Sequence, residues 1–455
     1  MTSYPMRSRC ISLRSAGRLW LRAFRLLLVM GISLGVVACV PAGPTPQPDP
    51  EILVLWHTFT GAEAMALQAL TDRFNDENPW QMVLIAEYQS KLLEKLRVAP
   101  DSRPDLVTVR PEDLQTYVAL DLVGSAPTDS SLMREIWADF LPMAQALYQV
   151  DGVPQAAPLG LATYLVYANA EWLGDLGYDV GTANWEGLRR TACAASDPTR
   201  GHVGLGVPAR ASVLLATLAA SGSQIVGDDG YFQFSDEVGR GSAGVLHEVF
   251  SGDCGLVYQD REVGTGRLGK SSMAMIVESS EQLTEVQHAI AAGRNFQLAI
   301  GAFPGPEGPG PTLWYGPGLM VTAPDEERQQ AALRVMYWLF SQESQTYWGE
   351  ATAYIPVRRS VVEAALAGAE ETSILSPESA LWRLTLTAAD TAAWVAWPQA
   401  TNRMACRASL LRCLLALQQT DVDTVAYVDT AVTACNTGVG FRALPTAAPA
   451  EGEAP

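Results

Sequence analysis

The sequence has few of the residues that build a metal-dependent catalytic centre. It contains only four histidines, and its seven cysteines show no CxxC spacing, so a zinc site is a weak alternative. His247-Glu248 begins an HExxH pattern, but Ser251 stands where the second histidine is needed. We therefore predict no metal, no cofactor and no catalytic residues.

Basic residues are also scarce. The chain has 31 lysines and arginines against 49 acidic residues, for a net charge of -18. This is the wrong sign for neutralising a phosphate backbone, which excludes nucleic acid as a natural partner. With 455 residues, 48% of them hydrophobic, the chain is long enough to form two globular lobes.

No hydrophobic run is long enough for a comfortable membrane span. Six arginines precede the apolar segment Leu26 to Ala38, which has 13 residues against the roughly 20 that a spanning helix needs. This arrangement is typical of a signal peptide covering residues 1–38. Val36-Val37-Ala38-Cys39 resembles the lipobox of bacterial lipoproteins, which implies lipidation of Cys39. An ordinary signal peptide cut nearby is the alternative, and either reading places the mature protein outside the cytoplasm.

The mature chain is predicted to begin and end in non-globular segments. Residues 39–51 are rich in proline and form an extended tether that holds the globular part away from the membrane. Residues 441–455 are small, proline-rich and acidic, which predicts a disordered tail. The predicted location is the outer face of the cell membrane, or its periplasmic side, with a lipid anchor.

Five cysteines follow Cys39 in the sequence, and an oxidising compartment favours disulfide bonds between them. Cys193 and Cys254 lie in loop-like contexts and are the preferred disulfide pair. Cys406 and Cys413 lie seven residues apart on a predicted helix, about 10 Å by helical rise, and should not bond each other. Cys435 can pair with either of these two.

Apolar runs alternate with helical periodicity along the chain. Ile52 to Trp56, Met82 to Ala86 and Asp105 to Val109 are strand-like, and helical patterns separate them. Strand and helix continue to alternate through Phe296 to Ile300, and a long helix follows Pro324. This alternation predicts an α/β fold of doubly wound type, with ligand contacts at the carboxyl ends of the strands.

The chain also carries a series of segments that resembles family 1 extracellular solute-binding proteins, the group that contains the maltose-binding protein. The segments are WHTFTG (56–61), ALTDRFNDENP (69–79), PDLVTVRPEDL (104–114), YLVYANAEWL (164–173), GKSSMAMIVESS (269–280), WYGPGLMV (314–321) and WLFSQESQTYWGEATAYIPVRRS (338–360).

The resemblance implies a type II periplasmic binding protein-like fold with two doubly wound lobes and a hinge that the chain crosses repeatedly. The N-terminal lobe would take residues 52–158 and 309–356, and the C-terminal lobe residues 159–308 and 357–440. The resemblance also implies closure of the lobes around a ligand, recognition by an ABC transporter permease, and a monomer.

One motif points elsewhere. Gly264 to Ser271, GTGRLGKS, satisfies the phosphate-loop pattern GxxxxGK[ST]. A working phosphate loop follows a buried strand and opens a helix, whereas here a strand-like segment follows the motif. Nucleotide binding is therefore not predicted.

Aromatic and polar residues at positions that this family uses for its cleft form the predicted binding site. Sugar rings stack on aromatic faces, while carboxylates, amides and hydroxyls bind sugar hydroxyls. The predicted residues are Trp56, Thr58, Phe59, Thr60, Arg110, Glu112, Tyr164, Glu278, Ser279, Ser280, Trp314, Tyr315, Gly316, Tyr354, Arg358 and Trp397. The tryptophan that relatives often carry after the small polar turn at Ser279-Ser280 is absent here.

These features predict a non-enzymatic lipoprotein that binds a small molecule, a carbohydrate first of all, and delivers it to the permease. Two alternatives stay open: a different polar solute, such as a glycerol phosphate or a polyamine, and a secreted hydrolase that uses a carboxylate pair.

Overall fold

The architecture was determined as a computed structural model, which describes residues 51–98, 102–180, 184–227, 230–373, 376–398 and 403–437. The predicted signal peptide (1–38), the lipidation site Cys39, the tether up to Pro50 and the tail (441–455) lie outside these ranges.

The described chain contains fourteen strands in the following order: β1 (Glu51–His57), β2 (Met82–Tyr88), β3 (Leu106–Val109), β4 (Gln149–Val150), β5 (Val153–Pro154), β6 (Ala157–Pro158), β7 (Ala162–Asn169), β8 (Val203–Pro208), β9 (Gly255–Tyr258), β10 (Met273–Ser279), β11 (Leu298–Ala302), β12 (Thr312–Tyr315), β13 (Gly318–Val321) and β14 (Trp394–Ala396).

The α-helices of the same ranges are α1 (Gly61–Glu77), α2 (Leu92–Val98), α3 (Leu114–Ala119), α4 (Ser131–Ala138), α5 (Pro142–Ala146), α6 (Ala170–Asp175), α7 (Trp185–Ala195), α8 (Ala211–Ala220), α9 (Glu237–Ser251), α10 (Arg261–Gly269), α11 (Leu283–Ala292), α12 (Glu326–Leu339), α13 (Gln342–Thr352), α14 (Arg359–Thr372), α15 (Pro377–Thr391), α16 (Arg403–Ala416) and α17 (Thr424–Thr437). Short 3₁₀ turns at Pro111–Asp113, Pro127–Asp129, Pro198–Arg200 and Ser280–Gln282 connect some of them.

The first lobe is built on a five-stranded sheet with the order β2-β1-β3-β13-β6. β1 pairs in parallel with β2 and β3, and β13 runs antiparallel to β3. Leu53 and Leu55 of β1 are fully buried, and α1 covers the sheet with Leu67, Leu70 and Phe74. This helix is capped at its C-terminus by Asn78, whose amide Nδ2 donates to the carbonyl oxygens of Phe74 and Met82. The predicted strand–helix–strand start is confirmed.

The second lobe is built on a seven-stranded sheet with the order β14-β12-β7-β10-β8-β9, and β11 also pairs with β7. All eight residues of β7 are buried. Alternate side chains of this strand belong to different apolar clusters: Leu165 and Tyr167 to one, Val166 and Ala168 to the other. The sheet is therefore covered on both faces, which explains why its strands read as continuous apolar runs.

The chain passes between the two sheets at adjacent points. It leaves the first sheet after β6 and enters the second with β7, and it returns at Gly316-Pro317, between β12 and β13. Because β12 pairs with β7 and β14, it belongs to the second sheet. The sequence-based boundary at residue 309 placed this strand in the N-terminal lobe, and strand pairing corrects that assignment. Leu161 and Ile355 form a further bridge beside the crossings.

Two disulfides brace the second lobe. The predicted pair Cys193–Cys254 is bonded, and Cys435 bonds Cys406 rather than Cys413. The second bond joins α16 to α17. Cys413 is a buried free thiol, and burial raises its pKa to about 12. One disulfide therefore cross-links the chain at the edge of the second sheet, and the other cross-links the two C-terminal helices.

Candidate ligand-binding cleft

A cavity of about 430 Å³ lies where the two lobes face each other. Its volume is within the range of pockets that bind small molecules. Nine of the predicted site residues line it, from both lobes: Thr58, Phe59, Arg110, Glu112, Tyr164, Tyr315, Gly316, Tyr354 and Trp397. Segments far apart in the sequence therefore meet at one cavity.

The first lobe contributes its strand ends. Thr58 and Phe59 follow β1, and Arg110 follows β3 and precedes the 3₁₀ turn that carries Glu112. The backbone N–H of Thr58 donates to Thr108 Oγ1 at 3.1 Å, which ties the two strand ends together. Parallel strands present their carboxyl ends at one edge of a sheet, so these side chains share one wall.

The second lobe contributes residues that sequence reasoning missed. Arg210 follows β8, Arg261 follows β9, and Glu281 lies in the turn after β10. β8, β9 and β10 are parallel, so these three positions obey the same strand-end rule that identified Arg110. The signal was therefore present in the sequence, but in the second lobe the prediction took only residues 278–280 from it.

Glu278 is the charged centre beneath this second wall. The residue is 0% exposed, and its carboxylate lies 3.8 Å from Arg210 Nη1 and 3.9 Å from Arg261 Nε. It also accepts hydrogen bonds from the hydroxyl of Tyr258 and the backbone N–H of Ser279. Burial raises the pKa of Glu278, although the two arginines oppose this shift. Glu278 therefore positions the arginines and does not itself line the cavity.

The aromatic side chains form a connected group on the second lobe. The ring centroids of Tyr164 and Tyr315 are 5.7 Å apart, and those of Tyr315 and Trp397 are also 5.7 Å apart. The Tyr164 hydroxyl contacts Ser212 Oγ at 2.5 Å, and the Tyr315 hydroxyl donates to Ser279 Oγ at 2.7 Å. Both rings are therefore fixed in place by their own hydrogen bonds.

Tyr354 lies between carboxylates of the two lobes. Its hydroxyl donates to Glu63 Oε1 at 2.9 Å, and it also faces Glu281. Burial raises the pKa of Glu63 and of Glu281, while Arg110 and Arg261, respectively, oppose the shift. Glu63 was not predicted, because it lies in the first turn of α1 rather than directly at a strand end.

The seven other predicted residues do not line the cavity. Trp56 is 7% exposed, and its Nε1 donates to Glu87 at 3.0 Å. Thr60 is the exposed N-cap position of α1. Arg358 pairs with Asp139 at 2.7 Å. Trp56 and Arg358 therefore have structural partners outside the cleft.

The remaining predicted residues lie behind the cavity wall. Trp314 is fully buried, and its Nε1 donates to Thr312 Oγ1, which corrects its prediction as a cleft residue. Ser279 and Ser280 are buried and act through hydrogen bonds, Ser279 with Tyr315 and Ser280 with the backbone N–H of Thr163. Glu278, described above, completes this group.

The last part of the wall comes from α16. Cys406, Arg407 and Leu410 line the cavity, and Phe232 and Leu215 complete its apolar part. No sequence signal connected α16 to the cleft, because its position depends on packing against α8 and on the Cys406–Cys435 disulfide.

The phosphate-loop pattern has a packing explanation. Gly264 and Gly269 lie within α10, so the motif does not form a loop between a strand and a helix. A Cβ at Gly264 would lie 2.3 Å from the Tyr258 ring, and one at Gly269 would lie 2.3 Å from the Ala289 carbonyl oxygen. These glycines are required for close packing rather than for a phosphate cradle.

No group of three or more histidine, cysteine or acidic side chains in the described ranges could hold a metal ion. No described helix combines the length and apolar character that a membrane span requires.

Comparison with known proteins agrees with this architecture. The profile of the family described as "Bacterial extracellular solute-binding protein" matches residues 69–372. No curated protein matches the sequence closely enough to count as a relative. Solved structures do match, at identities that show the fold alone.

Three of these structures serve as examples. The cyclic α-maltosyl-1,6-maltose binding protein of Arthrobacter globiformis has a TM-score of 0.69 and 18% identity, covering 86% of this chain and 99% of its own. The sugar-binding protein MalE of Xanthomonas citri has a TM-score of 0.71 and 17% identity, covering 85% and 97%. UgpB of Mycobacterium tuberculosis, solved with glycerophosphocholine, has a TM-score of 0.65 and 17% identity, covering 86% and 99%.

The predicted fold class, two α/β lobes of the type II periplasmic kind, is confirmed by these matches. From the family match and the two-lobed fold, we conclude that the chain belongs to the bacterial extracellular solute-binding protein family.

Proposed function

We propose that this protein captures a carbohydrate in the cavity between its lobes and delivers it to the permease of an ABC importer. The observation that carries the proposal is the composition of the cavity wall. Tyr164, Tyr315 and Trp397 form a group of aromatic rings, and arginines and carboxylates of both lobes surround it. Aromatic faces stack on the apolar faces of sugar rings, and charged groups bind their hydroxyls.

The size of the cavity favours a small solute. About 430 Å³ lies near the lower end of the range for small-molecule sites, which suits a short saccharide better than a long chain. The Arthrobacter and Xanthomonas proteins of the same fold are a maltosyl-maltose and a sugar-binding protein by name. Their names support the carbohydrate class for this chain.

The proposal includes a lipid anchor and no catalysis. Cleavage before Cys39 and lipidation of its thiol would hold the protein at the outer side of the membrane, as a monomer on a proline-rich tether. A solute-binding protein needs no reaction at its site, and the wall residues described above serve binding alone.

A phosphorylated polyol is the second candidate solute. Arg110 and Arg407 line the cavity, and neither forms an ion pair with a carboxylate within the described ranges. An anionic group on the solute would supply the missing partner, because arginine binds phosphate and carboxylate in the same bidentate geometry. The glycerophosphocholine complex of UgpB shows that this fold accepts such a solute.

A thermal-shift screen of the purified processed protein tests the proposal. The screen contains maltose, trehalose, cellobiose, xylobiose, glycerol 3-phosphate, glycerophosphocholine and spermidine. A solute that binds only the folded state at a hundredfold excess over its Kd stabilises it by about 2.7 kcal/mol. We expect a saturable shift with one saccharide and no breakdown of that saccharide.

Other outcomes separate the alternatives. A shift with the phosphate esters alone would replace the carbohydrate by the second candidate. Release of product from a saccharide would show a hydrolase and overturn the binding proposal. No shift with any compound would contradict both solute assignments.

A further inference from the structure

Three carboxylates and two arginines lie close together at the cavity, with Glu63 and Glu281 lining it and Glu278 behind its wall. Glu278 lies near Arg210 and Arg261, and Glu281 Oε1 lies 3.5 Å from Arg261 Nη2. Glu63 has no arginine within 4.0 Å among the described residues, and Arg110 acts on it only from a longer distance. The two arginines therefore compensate two of the three negative charges.

One carboxylate oxygen of the cluster has no partner. Glu281 Oε2 is buried and accepts no hydrogen bond within the part of the chain that the structure describes. An ionised oxygen in this position is unfavourable, because burial removes its hydration and nothing replaces it. A protonated carboxyl group avoids this cost.

The neighbouring tyrosine does not supply the missing donor. The single hydroxyl hydrogen of Tyr354 is donated to Glu63 Oε1 at 2.9 Å. That hydrogen is then not available to Glu281 Oε2, which accepts no hydrogen bond within the described ranges. A protonated Glu281 needs no such donor at this oxygen and can itself donate a hydrogen bond.

The pair spans the two lobes. Glu63 lies on α1 of the first lobe, and Glu281 follows β10 of the second. Opening the cleft would separate the two carboxylates and return Glu281 to water, where its ordinary acidity favours ionisation.

We propose that Glu63, Tyr354 and Glu281 form a proton-binding element, and that closure of the lobes around the solute takes up one proton at this element. Solute capture is then tighter at lower pH. The inference rests on the proposed binding function, but it does not depend on which solute is bound.

Charged and titratable side chains from several neighbouring elements surround the proton-binding element. The groups that face Glu281 or Glu63 from neighbouring elements are Arg110 after β3, Arg210 before α8, Arg261 of α10, Tyr164 of β7, Tyr315 of β12 and Tyr354 after α13. Burial raises the pKa of both Glu63 and Glu281, which agrees with proton uptake on closure. The tyrosines stay neutral, since burial raises their pKa well above the ordinary value.

The sign of the effect follows from linkage. A group whose pKa is higher in the closed state than in the open state favours closure when it is protonated. Closure is therefore favoured at low pH and weakens as the pH rises above the ordinary glutamate value. For one linked proton, the Kd of the solute can rise at most about tenfold per pH unit.

The test compares the wild-type protein with Glu281→Gln, which keeps a hydrogen-bond donor but cannot ionise. The Kd of the solute found in the screen is measured between pH 5 and 8 by calorimetry, in two buffers of different ionisation enthalpy. We expect the wild-type Kd to rise with pH and binding to take up a proton. In Glu281→Gln both the slope and the proton uptake should be lost. Glu237→Gln, an exposed glutamate of the same lobe, should retain the wild-type slope.

A second measurement needs no solute. Small-angle X-ray scattering of the ligand-free protein should show a larger radius of gyration at pH 8 than at pH 5, and no such change in Glu281→Gln. Binding with a pH-independent Kd, or an equal slope in Glu281→Gln, would overturn the proton element while leaving the binding function intact. Failure of every solute to bind would instead contradict the binding function. The radius of gyration at pH 5 and pH 8 would still test the proton element independently.

Discussion

The two walls of the cleft are built differently. On the second lobe, Arg210 and Arg261 are about one-third exposed and are held by the buried carboxylate of Glu278. The hydroxyl of Tyr315 is hydrogen-bonded, and two disulfides brace the surrounding helices and strands. On the first lobe, Arg110 is exposed and has no ion pair within the described ranges, and residues 51–158 contain no cysteine.

This difference indicates that the two walls have different roles in solute binding. A wall whose side chains are already fixed loses little conformational freedom when a solute binds, which favours affinity. A wall with free side chains can adapt to the solute as the lobes close. We therefore interpret the second lobe as the preorganised recognition surface and the first lobe as the closing surface. Burial raises the pKa of Glu278. The nearby carboxylate of Glu278 in turn raises the pKa of Arg210, which stays cationic.

The largest expected effect comes from removing a brace of the second lobe. Replacing Cys193 and Cys254 together by alanine opens a disulfide between residues 61 apart, which should lower the free energy of unfolding by about 4 kcal/mol. Urea denaturation measures this change. Cys413→Ala is the matched control, because it removes a buried thiol without removing a cross-link. Equal stability of the two variants would show that the cross-link does not brace the lobe.

The next effect concerns the charged centre. Glu278→Ala leaves Arg210 and Arg261 without their shared carboxylate, and we expect a loss of roughly 2 kcal/mol of stability. This is below the range for fully buried pairs, since both arginines are partly solvated. Exposed Glu262→Ala on the neighbouring helix should change the stability little. A stable Glu278→Ala protein with unchanged solute affinity would contradict the positioning role.

Trp397→Ala tests the aromatic group directly. The ring lines the cavity and contacts Tyr315, so its removal should weaken solute binding at least about tenfold with little loss of stability. Affinity is measured by calorimetry with the solute from the screen. Trp80→Ala, a partly buried tryptophan of the first lobe away from the cavity, is the control. Equal affinities of the two variants would exclude stacking on Trp397.

The smallest effect should come from the first wall. Arg110→Ala should change the free energy of unfolding by less than about 0.5 kcal/mol, because the side chain is exposed and unpaired. Its solute affinity should still fall. Arg210→Ala should lower both quantities, because Arg210 pairs with Glu278. Identical behaviour of the two arginine variants, in urea denaturation and in calorimetry, would remove the distinction between the walls.

Much of the fold was predictable from the sequence because apolar periodicity reports burial directly. The buried run of β1 and the long helix after Pro324 both appear where the pattern predicted them. The Cys193–Cys254 pair was also predicted, although Cys193 lies in helix α7 and not in a loop as expected. Strand pairing was less accessible: β12 and β13 are separated by two residues, yet they belong to different sheets.

The site was only partly predictable, because a sequence pattern does not report the direction of a side chain. Trp314 and Tyr315 are neighbours with similar flanking residues, but successive strand residues point to opposite faces, so only Tyr315 lines the cavity. Arg407 reaches the cleft through helix packing that leaves no local signal. Arg210 and Arg261, in contrast, follow strands and could have been found by the rule that found Arg110.

Binding of a carbohydrate in this cavity is tested most directly by a thermal-shift titration of the wild-type protein beside Trp397→Ala with the saccharides of the screen. We expect a saturable rise in the Tm of the wild type with at least one saccharide. In the variant, the same rise should need at least about tenfold more of that saccharide. A wild type that responds to no saccharide, or a variant that responds at the same concentrations, would contradict a carbohydrate bound in this cavity.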